Sequence, residues 1–236
     1  MDWALANLDR FEKVDEAYVR GITPTCPTPS PSPPSTLPPR RDRAHRHLSH
    51  HRKEPEHLRQ VQPHSAGYEF ARKTLDGLGY DYIQFDDHHF REDLQWEDAV
   101  PMFHRLMQRT GERGLEFGVK ITNTFPVDVA AGELPSEEMY MSGRSLYPLT
   151  LSLAGKLSHE FGGKLRISYS GGADYHNIKA LVDCGIWPVT LATTILKSAA
   201  TTDWPRSPPK FDGKESGAFQ GVDVAKLDAL LDQLFA

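Results

Sequence analysis

A strand-like run, a pair of glycines and a second strand-like run constrain this chain more than any other feature. Ile167-Ser168-Tyr169-Ser170-Gly171-Gly172-Ala173-Asp174 reads as a strand entering a tight turn. Ile186-Trp187-Pro188-Val189-Thr190-Leu191-Ala192-Thr193-Thr194 reads as a second strand that ends in small hydroxyl residues. Two consecutive glycines after a strand let the backbone approach a ligand with its N–H groups exposed.

The rest of the chain repeats this alternation from residue 67 onward. Helical spacing is expected over 68–78, 97–113, 145–161 and 175–184, with strands over 80–85, 115–122, 164–169 and 186–192 and a long loop over 123–143. A terminal amphipathic helix spans 223–235. Strands alternating with helices imply parallel βα units. Loops after the last two strands of a (β/α)8 barrel commonly build a phosphate site. The fold class is therefore α/β: a partial TIM barrel, its C-terminal half, with four strands where closure needs eight.

The first part of the chain is different. Residues 1–22 form a helical segment, with Leu5, Leu8, Phe11 and Val14 near helical spacing. Residues 23–66 then carry 10 of the 18 prolines and 6 of the 11 histidines, and no Gly, Ile, Phe, Tyr or Trp. Such a segment buries too little apolar surface to offset chain entropy, so disorder is expected there. The remaining divisions are a barrel half over 67–197, an irregular linker over 198–222 and the helix at 223–236.

Composition narrows the function. A net charge of -5 gives no electrostatic case for nucleic acid. Cys26 and Cys184 cannot make a disulfide framework or a four-cysteine cluster site. No apolar run reaches membrane-spanning length and no basic-then-apolar leader opens the chain, so a soluble cytoplasmic protein is expected.

Four stretches carry a family resemblance: Gly79-Tyr80-Asp81-Tyr82-Ile83-Gln84-Phe85-Asp86-Asp87-His88-His89-Phe90, Gly118-Val119-Lys120-Ile121-Thr122-Asn123-Thr124-Phe125-Pro126-Val127, Glu138-Met139-Tyr140-Met141-Ser142-Gly143-Arg144, and the Ser-Gly-Gly run. Residues 67–197 resemble the flavin-binding domain of the selenate reductase large-subunit family and, more distantly, dihydropyrimidine and dihydroorotate dehydrogenases. The resemblance implies an FMN-binding (β/α)8 domain of a much longer iron–sulfur flavoprotein with a second nucleotide site, acting on a small reducible substrate. This chain would be a fragment of such an oxidoreductase, with the missing parts of the parent as partners and negligible turnover of its own.

Residues 23–66 read as that family's sequence in a shifted frame. From third bases, residues 28–35 permit Ser-Val-Thr-Leu-Ser-Thr-Leu-His; from second bases, residues 40–47 permit Asp-Glu-Ile-Glu-Arg-Ile-Ala-Thr, and continuing through residues 59–66 gives Phe-Val-Lys-Cys-Asn-Pro-Thr-Leu-Leu. Residues 198–209 permit a similar re-reading. The original frame would restore a cysteine and a lysine that the distant dehydrogenases use, and neither stands here. Sequencing the DNA across both stretches tests this hypothesis; an unbroken frame there refutes it.

The candidate cofactor-binding residues follow. Gly171 and Gly172, with Ser170, would hold the FMN phosphate by main-chain amides; Thr193 and Thr194 would add donors from the last loop. Ser142 and Gly143 open a helix, a suitable anion position. Lys120 and Asn123 lie at a strand end, where a lysine would place positive charge near the flavin and an asparagine would hydrogen-bond flavin or substrate. Asp86, Asp87, His88 and His89 form a polar loop rather than a metal site, because neighbours on an extended chain point apart. No metal is expected, and no catalytic residue is assigned.

Overall fold

The computed structural model describes residues 16, 30–31, 57–132, 134–196, 211 and 218–236. The sheet consists of β1 (Ser30–Pro31), β2 (His57–Val61), β3 (Phe117–Ile121) and β6 (Arg166–Tyr169), in that spatial order and all parallel. A hairpin of β4 (Phe125–Asp128) and β5 (Glu138–Met141) stands apart from it. The helices are α1 (Tyr68–Asp76), α2 (His88–Glu92), α3 (Trp96–Gly111), α4 (Tyr147–Glu160), α5 (Ile178–Asp183), α6 (Thr193–Leu196) and α7 (Val224–Phe235).

Two apolar clusters hold these elements. Val119, Ile121, Ile167 and Tyr169 of the sheet pack with Met102, Phe103 and Leu106 of α3 and with Leu151, Leu153 and Leu157 of α4. A second cluster joins Ala71 and Leu75 of α1 to Phe85, Phe90, Phe125, Met141 and Leu149. Helix α4 serves both, and 10 of its 14 residues are buried, so it is apolar around most of its circumference rather than on one stripe. Helix α7 lies against α4 and begins at an Asp223 cap whose carboxylate accepts the Lys226 N–H at 3.1 Å.

Four expectations are corrected. Residues 57–66 were expected to be disordered; instead β2 pairs with β3 over five residues and a 3-10 turn follows at Pro63–Ala66. Strand pairing uses main-chain groups that every residue but proline supplies in full, so composition does not forbid it. Residues 80–85 are a turn at Asp81 and Tyr82 followed by irregular chain, and not a strand. The Arg72 guanidinium donates to the carbonyls of Ile83 (2.7 Å) and Tyr80 (3.0 Å), which occupies acceptors that a ladder would need. The expected loop 123–143 contains the β4–β5 hairpin, with Pro126 inside β4. Residues 186–192 make a single parallel bridge, Tyr169 to Val189, where Pro188 interrupts the supply of N–H donors. The helices over 97–113, 145–161 and 175–184 begin or end later or earlier than expected, and the first turn of the second is 3-10, over Gly143–Leu146.

The helix expected within residues 1–22 lies outside the described residues except at Glu16, which is helical. Most of the expected linker also lies outside them. Among the described residues no closed barrel is formed, and no helix is long and apolar enough to cross a membrane.

Candidate functional site

The carboxyl ends of β2, β3 and β6 open on a cavity of about 360 Å³. Parallel register sets Gln60, Lys120 and Ser168 side by side across three strands. Gln60 and Lys120 line the cavity, whereas the Ser168 hydroxyl donates to the Pro188 carbonyl at 3.0 Å. No acceptor for the Lys120 amine is found among the described residues.

Beyond β6 the chain is tied to the end of β3. The Ser170 N–H donates to the Ile121 carbonyl at 2.6 Å, and its hydroxyl to the Thr122 carbonyl at 2.8 Å. Gly172 then turns with φ +79°. A Cβ built on it would lie 2.5 Å from the Gly143 carbonyl oxygen and 2.7 Å from the Tyr147 nitrogen, so no other residue fits between this turn and the start of α4. Thr193 closes the third side, its methyl 3.1 Å from where a Gly143 Cβ would be.

Eight of the nine expected residues line this one cavity: Lys120, Asn123, Ser142, Gly143, Ser170, Gly172, Thr193 and Thr194. Gly171 does not. Its Cα rests on the hydroxyls of Thr122 and Thr150, and a Cβ there would fall 1.9 Å from Thr150 Oγ1. Gly171 therefore serves packing in this structure. Ala173, Thr122, Thr190 and Gln60 line the cavity without having been foreseen. Gln60 was hidden by the composition of residues 23–66; Ala173 contributes main chain, which no side-chain motif reveals.

The site is cationic and nearly free of titratable groups. Among the described residues of its lining Lys120 is the one ionisable side chain, and none is a carboxylate. Asp174 lies just behind, 3% exposed, with its charge met by Arg144 Nε at 2.5 Å and by the N–H groups of His176 and Asn177. Burial, with Cys184 and Asp174 adding to it, pushes the Tyr147 phenol up to about 12. Among the described residues, no protein acceptor is found for the N–H groups of Gly172 and Ala173.

Asp86, Asp87, His88 and His89 do not converge. Asp87 pairs with Arg91, His89 Nε2 lies 2.8 Å from Glu138 Oε1, and the Asp86 carboxylate accepts the His88 N–H. Among the described residues no group of three or more His, Cys, Asp or Glu side chains could hold a metal ion.

A parallel sheet of βα units with a cavity at its carboxyl edge is the arrangement from which TIM-barrel domains are built. The chain belongs to the family described as "Oxidoreductase YgfK, N-terminal TIM-barrel domain", which it matches over residues 1–236. It is 41% identical over 170 residues to "Putative oxidoreductase YgfK" of Escherichia coli (strain K12), and equally to the protein of that name in Escherichia coli O157:H7. The match covers 72% of this chain but 16% of each relative, so the chain spans a small part of the relatives' length.

Proposed function

We propose that the cavity binds FMN, and that this chain is the flavin-holding part, a C-terminal barrel half, of a longer iron–sulfur oxidoreductase. One observation carries this reading: two consecutive main-chain N–H groups, of Gly172 and Ala173, find no acceptor among the described residues and belong to a cavity wall that Lys120 also lines. Buried N–H groups are almost always paired, so unpaired ones in a cavity wall point to an acceptor from outside the chain. The cavity is within the range of small-ligand sites.

The residues fit the group in distinct roles. The Gly172 and Ala173 N–H groups would donate to the phosphate, with Thr193, Thr194, Ser142 and Gly143 on its other sides. Lys120 would hold fixed positive charge nearer the sheet, and Asn123 and Gln60 would offer amide contacts to the ring or to substrate. FMN, when bound, supplies the electron and hydride transfer. The chain's residues bind, orient and screen. Among the described residues the lining contains no carboxylate, imidazole or thiol, which leaves Lys120 as its one ionisable group. The rest of the parent protein would supply the iron–sulfur clusters, a second nucleotide site and the small substrate's pocket.

Titration of the purified chain with FMN and with riboflavin, followed by flavin fluorescence, tests the proposal. FMN is expected to bind at least about tenfold more tightly, from charge-assisted bonds to its phosphate. Equal affinities, or none, overturn it.

A second reading is a non-catalytic remnant without stable cofactor binding. It is favoured by Gln62 Oε1, His64 Nε2 and Ser65 Oγ, three buried polar atoms in the segment after β2 that have no partner among the described residues. The remnant would bind a hydrophobic dye and no flavin.

A further inference from the structure

Asn177 lies outside the cavity lining, yet both ends of its carboxamide are engaged with the Gly172–Asp174 turn. Its Nδ2 donates to the Gly172 carbonyl at 3.1 Å, and its Oδ1 accepts the Asp174 N–H at 2.8 Å. The partners fix which end is which, because a carbonyl needs a donor and an N–H needs an acceptor. Gly172 and Ala173 are joined by a trans peptide, in which C=O and N–H point in opposite directions. Turning the Gly172 carbonyl toward Asn177 therefore turns the Ala173 N–H away from Asn177. Thr194 reinforces the next peptide, its hydroxyl 3.4 Å from the Ala173 carbonyl.

We infer that Asn177 is a positioning residue that selects a phosphorylated ligand, by holding the Gly172–Ala173 peptide with its N–H toward the cavity and its C=O behind. With this peptide flipped, a carbonyl oxygen would face the phosphate and repel it. Asn177 also takes the Asp174 N–H out of play, which leaves two successive donors for the ligand. The inference rests on the flavin reading for its ligand, but on the chain's own hydrogen bonds for its geometry.

The test compares the full chain with Asn177→Leu, which loses both bonds without adding charge, and with Asn177→Asp, which sets an oxygen against the Gly172 carbonyl. FMN affinity is expected to fall about tenfold in both, toward that of riboflavin, while riboflavin affinity stays within about twofold. A variant that binds both flavins as the wild type does overturns the positioning role. If the wild type itself does not discriminate between the flavins, the flavin reading fails, and inorganic phosphate decides the rest. Phosphate should then move the Ala173 amide resonance in the wild type and leave it unmoved in the variants. No movement in the wild type, or equal movement in all, overturns the inference. Hydrogen exchange in the wild type needs no variant: the Asp174 amide should exchange much more slowly than that of Ala173, and the reverse order overturns it.

Discussion

The hydroxyls of Thr122 and Thr150 lie 2.8 Å apart, buried, and the Cα of Gly171 rests against both. Thr122 follows β3 and Thr150 sits in α4, so this contact fixes the distance between the sheet edge and the helix whose first turn forms one cavity wall. Gly171→Ala would force a methyl into a space 1.9 Å from Thr150 Oγ1. The expected cost is about 2–3 kcal/mol. Gly111→Ala, where nothing lies within 4 Å of the new Cβ, should cost nothing. Urea midpoints of the two variants check this.

Ser65 is 1% exposed and its hydroxyl has no partner among the described residues. Ser65→Ala removes a buried polar group that gains nothing from burial, so it should stabilise the chain by about 1 kcal/mol. The same substitution at Thr110, whose hydroxyl donates to the Leu106 carbonyl at 2.9 Å, should destabilise it. Thermal melts of both variants give opposite signs if this account is right.

Stability should fall in alkali. Burial raises the phenol of Tyr147 to about 12, and raises that of fully buried Tyr169 well above the usual tyrosine range, with Tyr147 adding to it. A group that holds its proton more tightly when folded contributes fully below the unfolded pKa, about 10. That contribution is lost as pH rises from there through the folded value. Denaturant midpoints should be flat near neutrality and drop between about pH 10 and 12. Tyr147→Phe should flatten the drop, and an unchanged slope would contradict the assignment.

Lys120→Met should weaken FMN binding by about tenfold, close to 1.4 kcal/mol, by removing the one cation among the described residues of the cavity wall. Its melting temperature should match the wild type within a degree or two, because no described protein group accepts from the Lys120 amine. Parallel titration and melting curves separate the two effects.

Much of the site was legible because its residues cluster at strand ends. Ser170 and Gly172 follow one strand, Lys120 and Asn123 end another, and helix spacing placed Ser142 and Gly143 at the start of α4. Gly171 and Gly172 read as equivalent in sequence, yet one packs against threonines and the other lines the cavity. Neighbour identity decides that, and neighbours come from α4 and β3, about twenty to fifty residues away along the chain.

The strands were read less well than the helices. Residues 80–85 are rich in aromatic and β-branched residues, as a strand should be, but Arg72 occupies the carbonyls of Tyr80 and Ile83. Residues 57–61 have no strand-like composition, yet they pair with β3 because pairing engages the main chain.

The amino-acid sequence alone determined the periodic helices and the glycine turn after β6, since these are local in the chain. Only the tertiary structure decided which strands join the sheet and which amide groups remain unpaired. Both depend on where main-chain donors and acceptors meet in space, and side-chain order does not encode that directly.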